Sequence, residues 1–166
     1  MQKVIVILGQ TATGKSNLAV KIAKQINGEI ISADSRQIYT DLDIGSGIIT
    51  KKEMLGSPHH LLNIANPKTK FTIVTYKKLA DKKIEEIVKK GKTPIICGGT
   101  GFYIDSVVNN VILPEVKPNT KLRKELEKKS EIELLKILKK LDSHRAKTID
   151  AKNKVRLVRA IEIAQV

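Results

Sequence analysis

The stretch from Gly9 to Ser16 carries residue types suited to binding a phosphate group. It fits the pattern G-x-x-x-x-G-K-[ST] at every specified position. The glycines let backbone N–H groups turn toward an anion, the lysine adds a full positive charge, and the serine hydroxyl can ligate Mg²⁺. A chance glycine turn is the alternative, and the pattern leaves the ligand open, with nucleotides such as ATP among the candidates. The predicted phosphate site consists of Gly9, Gln10, Thr11, Ala12, Thr13, Gly14, Lys15 and Ser16, with Ser16 as the metal ligand.

Asp34 is the second candidate for chemistry. It follows Glu29–Ala33, a largely apolar run that predicts a strand, and ligands of open α/β sheets bind beyond the carboxyl ends of the strands. A carboxylate there can accept a proton from a nucleophile or join the Mg²⁺ shell through water. The alternative is an aspartate that caps a turn. We expect Asp34 to lie near the phosphate loop and to take part in the reaction.

Thr100 lies in a second glycine-bearing loop, Gly98–Gly101, after a predicted strand at Thr93–Cys97. The glycines allow the backbone to approach a ligand closely, and the threonine hydroxyl can bond to a phosphate oxygen. The alternative is a strand-to-helix turn with Thr100 as the helix N-cap, which is compatible with the first interpretation.

These residues need strands and helices to position them. A strand is predicted at Val4–Leu8, and a helix follows the phosphate loop, with Leu18, Ile22 and Ile26 at helical spacing. Another amphipathic helix is predicted over residues 72–90. Strands that alternate with helices predict a parallel, doubly wound sheet. The predicted fold class is therefore α/β, a P-loop NTPase-like three-layer fold with a parallel sheet and a small helical insertion.

Residues 40–70 predict a long loop region near the site, because they show little sustained periodicity. His59 and His60 lie in this region, and adjacent histidines lack the spacing of a metal site. We expect one of them to be packed and the other solvated.

The chain changes character after Pro114. Highly charged helices are predicted at 121–129 and 131–141, and the last segment, 154–165, is helical with one apolar side. The resulting assignment is a basic, lid-like helical insertion at 115–141 and a P-loop α/β core formed by 1–114 and 142–166.

The net charge of +14 is concentrated in the second half, where residues 117–166 hold fifteen basic and seven acidic side chains. A polyanionic partner, with nucleic acid first, fits this charge, and so does a solvated lysine-rich surface. Lys152, Arg156 and Arg159 lie along one side of the last helix. They form either a stripe for a phosphate backbone or a solvated face.

The single cysteine, Cys97, excludes an intramolecular disulfide and a cysteine-based zinc site. It fits a reducing, cytoplasmic setting. No apolar run approaches the length of a membrane span, and the N-terminus enters a strand directly, so we expect neither a membrane partner nor a signal peptide. We also expect a monomer.

An ordered set of motifs resembles the tRNA dimethylallyltransferase (tRNA isopentenyltransferase) family. The phosphate loop alone is shared by many unrelated proteins, but the run Ser-Ala-Asp-Ser-Arg-Gln-Ile-Tyr is highly specific. The matching motifs are Gly9–Ser16, Ile31–Tyr39, Asp43–Gly45, Pro58–Ile64, Gly98–Ile104 and Arg156–Glu162.

The resemblance implies transfer of a dimethylallyl group from dimethylallyl diphosphate to N6 of the adenosine 3′ of the anticodon in tRNA. It implies Asp34 as the general base, Thr100 as the residue that assists the departing diphosphate, and Thr11–Ser16 as the diphosphate cradle with Mg²⁺ near Ser16. The implied tRNA contacts are Asp34, Ser35, Arg36, Gln37, Val155, Arg156, Leu157, Val158 and Arg159.

The family pattern normally continues past Glu162, so we expect a C-terminally short member. The rival interpretation is a small-molecule kinase that uses ATP, with Asp34 activating an acceptor hydroxyl. The same motifs are also compatible with an adenylate prenyltransferase and with a non-catalytic remnant that binds tRNA or diphosphate.

Overall fold

The computed structural model describes residues 3–42 and 47–166, so the Asp43–Gly45 motif lies outside the described residues. The chain divides into two compact units, one up to Leu113 and one from Pro114 to Val166. Within the described part of the chain, no helix is both long enough and apolar enough to span a bilayer.

The first unit is built on one parallel sheet in the order β1-β4-β2-β3. Three of these strands were predicted, and their buried β-branched residues explain why they form. The fourth, β3, is two residues long and was not predicted, because it is too short for any periodicity. The strands are β1 (Ile5–Leu8), β2 (Gly28–Ser32), β3 (His59–His60) and β4 (Thr93–Gly98).

Helices cover both faces of this sheet, which confirms the predicted three-layer α/β arrangement. Helix α1 packs on the face that presents Ile30 and Ile95, whereas α2 and α3 pack on the face that presents Ile31 and Ile96. Alternate residues of a strand point to opposite faces, so each buried strand serves both cores. These helices are α1 (Lys15–Gln25), α2 (Ile73–Lys89) and α3 (Gly101–Val108).

The buried face of α1 differs from the predicted stripe. Leu18 and Ile26 are 49% and 38% exposed, whereas Ala19, Val20 and Ala23 are buried against the sheet. The small alanine side chains let the helix approach the strands closely, and the larger side chains fall at the margin of the contact.

Helix α2 follows its predicted pattern. Thr72 caps its N-terminus, since its side chain accepts a hydrogen bond from the Thr75 N–H at 3.2 Å. Gly91, just beyond its end, adopts a φ of 69°, the left-handed conformation expected at this position. The buried stripe consists of Tyr76, Ala80, Ile84 and Ile87.

The second unit is entirely helical. Its core joins the two predicted insertion helices to the last helix of the chain, through Leu126, Leu134, Leu138, Leu157, Val158 and Ile161. Residues 142–166 thus group with 114–141, in contrast to the predicted assignment to the α/β core, because the apolar side of the last helix packs on these leucines. The helices are α4 (Thr120–Leu126), α5 (Glu131–Leu141), α6 (Ser143–Thr148) and α7 (Lys154–Ala164).

A buried carboxylate links α4 to α7. Glu162 accepts hydrogen bonds from the Arg123 guanidinium at 2.6 and 2.9 Å and from the Asn119 N–H at 2.6 Å, and it also contacts Arg159. The Arg123 hydrogen bond outweighs the opposing effect of burial and lowers the pKa of Glu162 to about 2. The carboxylate is therefore ionised at neutral pH and fully paired.

Candidate functional site

The phosphate loop connects β1 to α1, as predicted. Gly14 has a φ of 81° and directly precedes the helix, and Ala12 has a φ of 65°. This backbone bends the loop around the start of α1, where the first N–H groups of a helix have no partners within it. Such an N-terminus favours an anion, so the loop geometry suits a phosphate group.

Lys15 folds back over the loop. Its ammonium donates a hydrogen bond to the Gln10 carbonyl and lies 3.5 Å from the Thr13 hydroxyl, which itself donates to the Gln10 carbonyl at 2.8 Å. The positive charge therefore sits within the loop that was predicted to hold phosphate.

Cys97 lies at the end of β4, near Lys15. Burial raises the pKa of its thiol to about 11, against the lowering effect of the Lys15 charge. The thiol is thus protonated at neutral pH and packs as a small core residue.

Asp34 follows β2 at the carboxyl edge of the sheet. Its Oδ1 accepts a hydrogen bond from the Arg36 N–H at 2.9 Å, so the aspartate does cap a turn. This bond also orients a half-buried carboxylate at the sheet edge where ligands bind, so the capping and functional interpretations are compatible.

Thr100 occupies the N-cap position of α3, but its side chain makes no capping hydrogen bond. Instead its Oγ1 accepts a hydrogen bond from the Ser35 N–H at 2.9 Å and donates to the Ser35 hydroxyl at 3.2 Å. The structure thus brings together the ends of β2 and β4, with Asp34 and Thr100 in adjacent loops.

Glycines allow the strand ends to converge. A Cβ at Gly98 would lie 2.8 Å from the Ala33 Cα and closer still to the Ala33 carbonyl, and one at Gly99 would lie 3.4 Å from the Gly9 carbonyl oxygen. The phosphate loop, the Asp34 loop and the Thr100 loop therefore meet at one edge of the sheet.

Two tyrosines lie beside the Asp34 loop, and sequence reasoning gave them no role there. The rings of Tyr76 and Tyr103 stack with centroids 4.0 Å apart, and the Tyr76 hydroxyl donates to the Ser32 carbonyl at 3.1 Å. Burial, together with the nearby Tyr39 and Asp34, raises the pKa of Tyr103. The amphipathic pattern of residues 72–90 predicts only that one side of the helix is buried, because such a pattern carries no information about a hydroxyl's partner.

The other predicted tRNA-contacting stretch lies on α7 in the second unit. Val155 and Arg156 are exposed, but Leu157 and Val158 are buried in the helical core. Arg159 donates to the Val116 carbonyl at 2.9 Å and pairs with Glu162. Side-chain contact with RNA from this stretch is thus open to Val155 and to Arg156, whose guanidinium lies 4.0 Å from the exposed Asp150 carboxylate. Leu157, Val158 and Arg159 have internal partners.

Glu29 and His60 form an ionic cluster that the sequence did not predict. Glu29 is 2% exposed and binds His60 Nε2 at 2.7 Å, Lys92 at 2.7 Å and Lys90 at 3.4 Å. Burial raises the pKa of Glu29, but these hydrogen bonds outweigh it and lower the pKa to about 2. Both His59 and His60 are half-buried, so the expectation of one solvated histidine is wrong.

The residues present can accommodate Mg²⁺ at the phosphate loop. Within residues 3–42 and 47–166, no group of three or more His, Cys, Asp or Glu side chains could hold a metal by itself. Mg²⁺ commonly binds through one or two protein oxygens and completes its shell with substrate phosphates and water. Ser16, a half-buried hydroxyl in the first turn of α1, supplies an oxygen of this kind.

A family model described as IPP transferase matches residues 37–166. The tRNA dimethylallyltransferase of Pediococcus pentosaceus is 44% identical over 100% of this chain and 55% of its own length. That of Exiguobacterium sibiricum is 45% identical over 98% of this chain and 54% of its own length. The chain therefore spans about half the length of the curated relatives it matches.

Solved structures agree with these relatives. The full-length tRNA isopentenylpyrophosphate transferase from Bacillus halodurans is 38% identical with a TM-score of 0.69, over 99% of this chain and 56% of that one. A eukaryotic dimethylallyltransferase acting on tRNA is 31% identical with a TM-score of 0.86, over 98% of this chain and 41% of that one. These matches, together with the phosphate loop and the parallel sheet, show that the chain belongs to the IPP transferase family of tRNA dimethylallyltransferases.

Proposed function

We propose that this chain transfers a dimethylallyl group from dimethylallyl diphosphate to N6 of the adenosine 3′ of the anticodon in tRNA. The observation that carries the proposal is the convergence of the phosphate loop, Asp34 and Thr100 at one sheet edge. At that edge the phosphate loop would hold the diphosphate, and the Asp34 carboxylate would face the acceptor. Both components of the reaction thus have suitable partners.

The phosphate loop would bind the diphosphate and stabilise it as it departs. Negative charge grows on this leaving group when the bond between the allylic carbon and the diphosphate oxygen breaks. Loop N–H groups and the Lys15 ammonium then act more strongly on the transition state than on the substrate, which is the condition for catalysis. Thr100, at the neighbouring strand end, would assist the same group.

Asp34 would serve as the general base. The adenine N6 amine is a poor nucleophile, so removal of a proton as its bond to the allylic carbon forms favours the reaction. The proton passes to the Asp34 carboxylate, and the diphosphate leaves with the electron pair of the broken C–O bond. The hydrogen bond from the Arg36 N–H holds this carboxylate in place.

Mg²⁺ is the metal we propose, held by Ser16 and by the diphosphate. When bound, it would neutralise charge on the diphosphate. The protein groups around it remain responsible for orienting the two substrates.

The acceptor must present an unstacked base to Asp34. A base leaves its stack at a cost of a few kcal/mol, and the cost is lowest in a single-stranded loop such as an anticodon loop. The loop from Asp34 to Gln37 and the exposed Val155 and Arg156 are the contacts that we propose for tRNA. Contacts between basic side chains of the second unit and the phosphate backbone of the RNA would offset the cost of unstacking.

We further propose that the chain works as a monomer in a reducing, cytoplasmic compartment. The free, buried thiol of Cys97 is consistent with that setting. A nucleotide that bound the same loop would compete with dimethylallyl diphosphate, and the proposal gives it no other role.

The test is a transfer assay with radiolabelled dimethylallyl diphosphate, Mg²⁺ and an anticodon stem–loop RNA. Label should enter RNA that carries adenosine at the acceptor position and not RNA with guanosine there. Asp34→Asn should lower the rate by at least about a hundredfold, given the typical contribution of a general base. Asp105→Asn, on the exposed side of α3, is the matched control and should retain the rate.

Controls with AMP and ATP separate the competing activities. Label in AMP would identify an adenylate prenyltransferase, and ATP consumption without RNA would identify a kinase. RNA and diphosphate binding without transfer would identify a binding module. Any of these results in place of labelled RNA would contradict the proposed function.

A further inference from the structure

Thr100 makes hydrogen bonds to both neighbours of Asp34 in the chain. Its N–H donates to the Ala33 carbonyl at 3.0 Å, and its Oγ1 accepts from the Ser35 N–H at 2.9 Å. Asp34 therefore lies between the Ala33 carbonyl and the Ser35 N–H, which are both hydrogen-bonded to Thr100. No bond of this kind is needed for Thr100 to contact a diphosphate.

The surrounding backbone makes this arrangement rigid. The Ala33 N–H donates to the Cys97 carbonyl at 2.8 Å, so β2 and β4 remain paired up to the residue before Asp34. Gly98 lies against Ala33 so closely that a side chain has no room there. A shift of Thr100 relative to Ala33 would therefore break several contacts at once.

The Thr100 hydroxyl has one hydrogen and can accept further bonds. Its hydrogen points to the Ser35 hydroxyl at 3.2 Å, while an acceptor site takes the Ser35 N–H. If the hydrogen turned toward a diphosphate oxygen, the bond from the Ser35 N–H could persist. Contact with the diphosphate and support of the Asp34 loop are thus compatible in one side chain.

We propose that Thr100 is a positioning residue for Asp34, which it holds through Ala33 and Ser35, in addition to any contact with the diphosphate. This inference rests on the proposed function for the role of Asp34 as the base. It predicts that the Thr100 hydroxyl and Ser35 act as one unit, so that their substitutions have non-additive effects.

The first test measures the loop directly and needs no activity. Amide hydrogen exchange at Ser35 should be about tenfold faster in Thr100→Val than in the unaltered chain, as expected for loss of one hydrogen bond. Thr100→Ser keeps the hydroxyl and should restore the slow exchange. Thr93→Val, at the other end of β4, is the control for the replacement of a threonine by valine in this strand region. Unchanged exchange at Ser35 in Thr100→Val would overturn the inference.

The second test uses the transfer reaction. Thr100→Val should lower kcat about tenfold, Thr100→Ser should return it to within about twofold, and Ser35→Ala should lower it by less than Thr100→Val. The double variant should be no slower than Thr100→Val alone, because the coupled pair is already broken. If the fold-changes in kcat of the two single variants simply multiply in the double variant, the coupling is contradicted.

The two tests also separate this inference from the proposed function. If the unaltered chain transfers no label to RNA, the proposed function fails, but the exchange measurement still decides whether Thr100 holds the loop. If transfer is normal in Thr100→Val, while Asp34→Asn is inactive, the proposed function stands and the positioning role fails.

Discussion

Lys15 and Asp34 have opposite charges, and we propose different tasks for them at one site. Lys15 contacts carbonyl and hydroxyl oxygens of its own loop, which keeps the ammonium where a phosphate would neutralise it. Asp34 accepts a hydrogen bond from the Arg36 N–H of its own loop, and no hydrogen bond found among the described residues pairs its carboxylate with that lysine. This separation is consistent with the proposal that each group acts on a different substrate.

Arg156 and Arg159 lie on the same helix but have different surroundings. Arg156→Ala should weaken RNA binding several-fold and reduce its salt dependence, because the exposed guanidinium can release a counterion on binding a phosphate. Filter binding of the stem–loop RNA over a range of salt concentrations measures both effects. An unchanged salt slope in this variant would remove Arg156 from the RNA contacts.

Arg159→Ala should act on stability instead. It removes bonds to the Val116 carbonyl and to Glu162, so we expect a loss of about 2 kcal/mol in the stability of the second unit. Urea unfolding followed by amide exchange on α7 measures this loss, with Arg156→Ala as the matched control. An equal stability of the two variants would show that the internal bonds of Arg159 are unimportant.

At the scale of elements, the junction of β2 and β4 decides whether the site forms. A Cβ at Gly98 would lie within 3 Å of the carbonyl and Cα atoms of Ala33, the residue after β2, and these backbone atoms cannot move independently. The glycine at this position is therefore required by packing. Close approach to a ligand is a better explanation for Gly99 than for Gly98.

Gly98→Ala should destabilise the first unit by about 3 kcal/mol and reduce transfer, because the new Cβ would push Ala33 and the adjoining Asp34 away from β4. Thermal unfolding and the transfer assay measure the two effects. Gly101→Ala is the control, since a Cβ there would meet no atom within 4 Å. Equal melting temperatures for the two alanine variants would contradict this account of the junction.

At the scale of the whole molecule, each unit contains one buried, ionised glutamate. Glu29 joins β2 to β3 and to the lysines that follow α2, and Glu162 joins α4 to α7. Each carboxylate is surrounded by cationic or N–H donors, which compensates for its removal from water. The two units thus depend on the same kind of interaction at unrelated places in the chain.

Both glutamates should make the protein sensitive to acid. Their pKa values of about 2 lie below the ordinary value of 4.5, so their stabilising effect is complete above pH 4.5 and is lost as the pH falls toward 2. Glu29→Gln and Glu162→Gln should each cost about 3 kcal/mol at pH 7 in their own unit. The difference from the unaltered chain should shrink toward pH 2.

Residue-level amide exchange, on β4 for the first unit and α7 for the second, can follow this loss between pH 7 and pH 3. Glu85→Gln and Glu125→Gln, on exposed positions of α2 and α4, are the controls. A cost that stays constant with pH would show that the charge of the glutamate is not what stabilises the unit.

The features that depend on local pattern could be predicted from the amino-acid sequence alone. The phosphate loop, the strands around it and the Thr72-to-Gly91 helix could be predicted, because spacing, turn residues and caps are properties of neighbouring residues. The position of Asp34 and Thr100 at strand ends could also be predicted, since parallel strands share one carboxyl edge.

The partners of these residues depend instead on the three-dimensional fold. The bond between Thr100 and Ser35 joins residues far apart in the chain, and the cluster around Glu29 collects groups from three separate segments. The same limit explains why the packing of the last helix with 114–141 was not predicted. An apolar stripe shows that a helix buries one side, but the surface that covers it depends on the path of the whole chain.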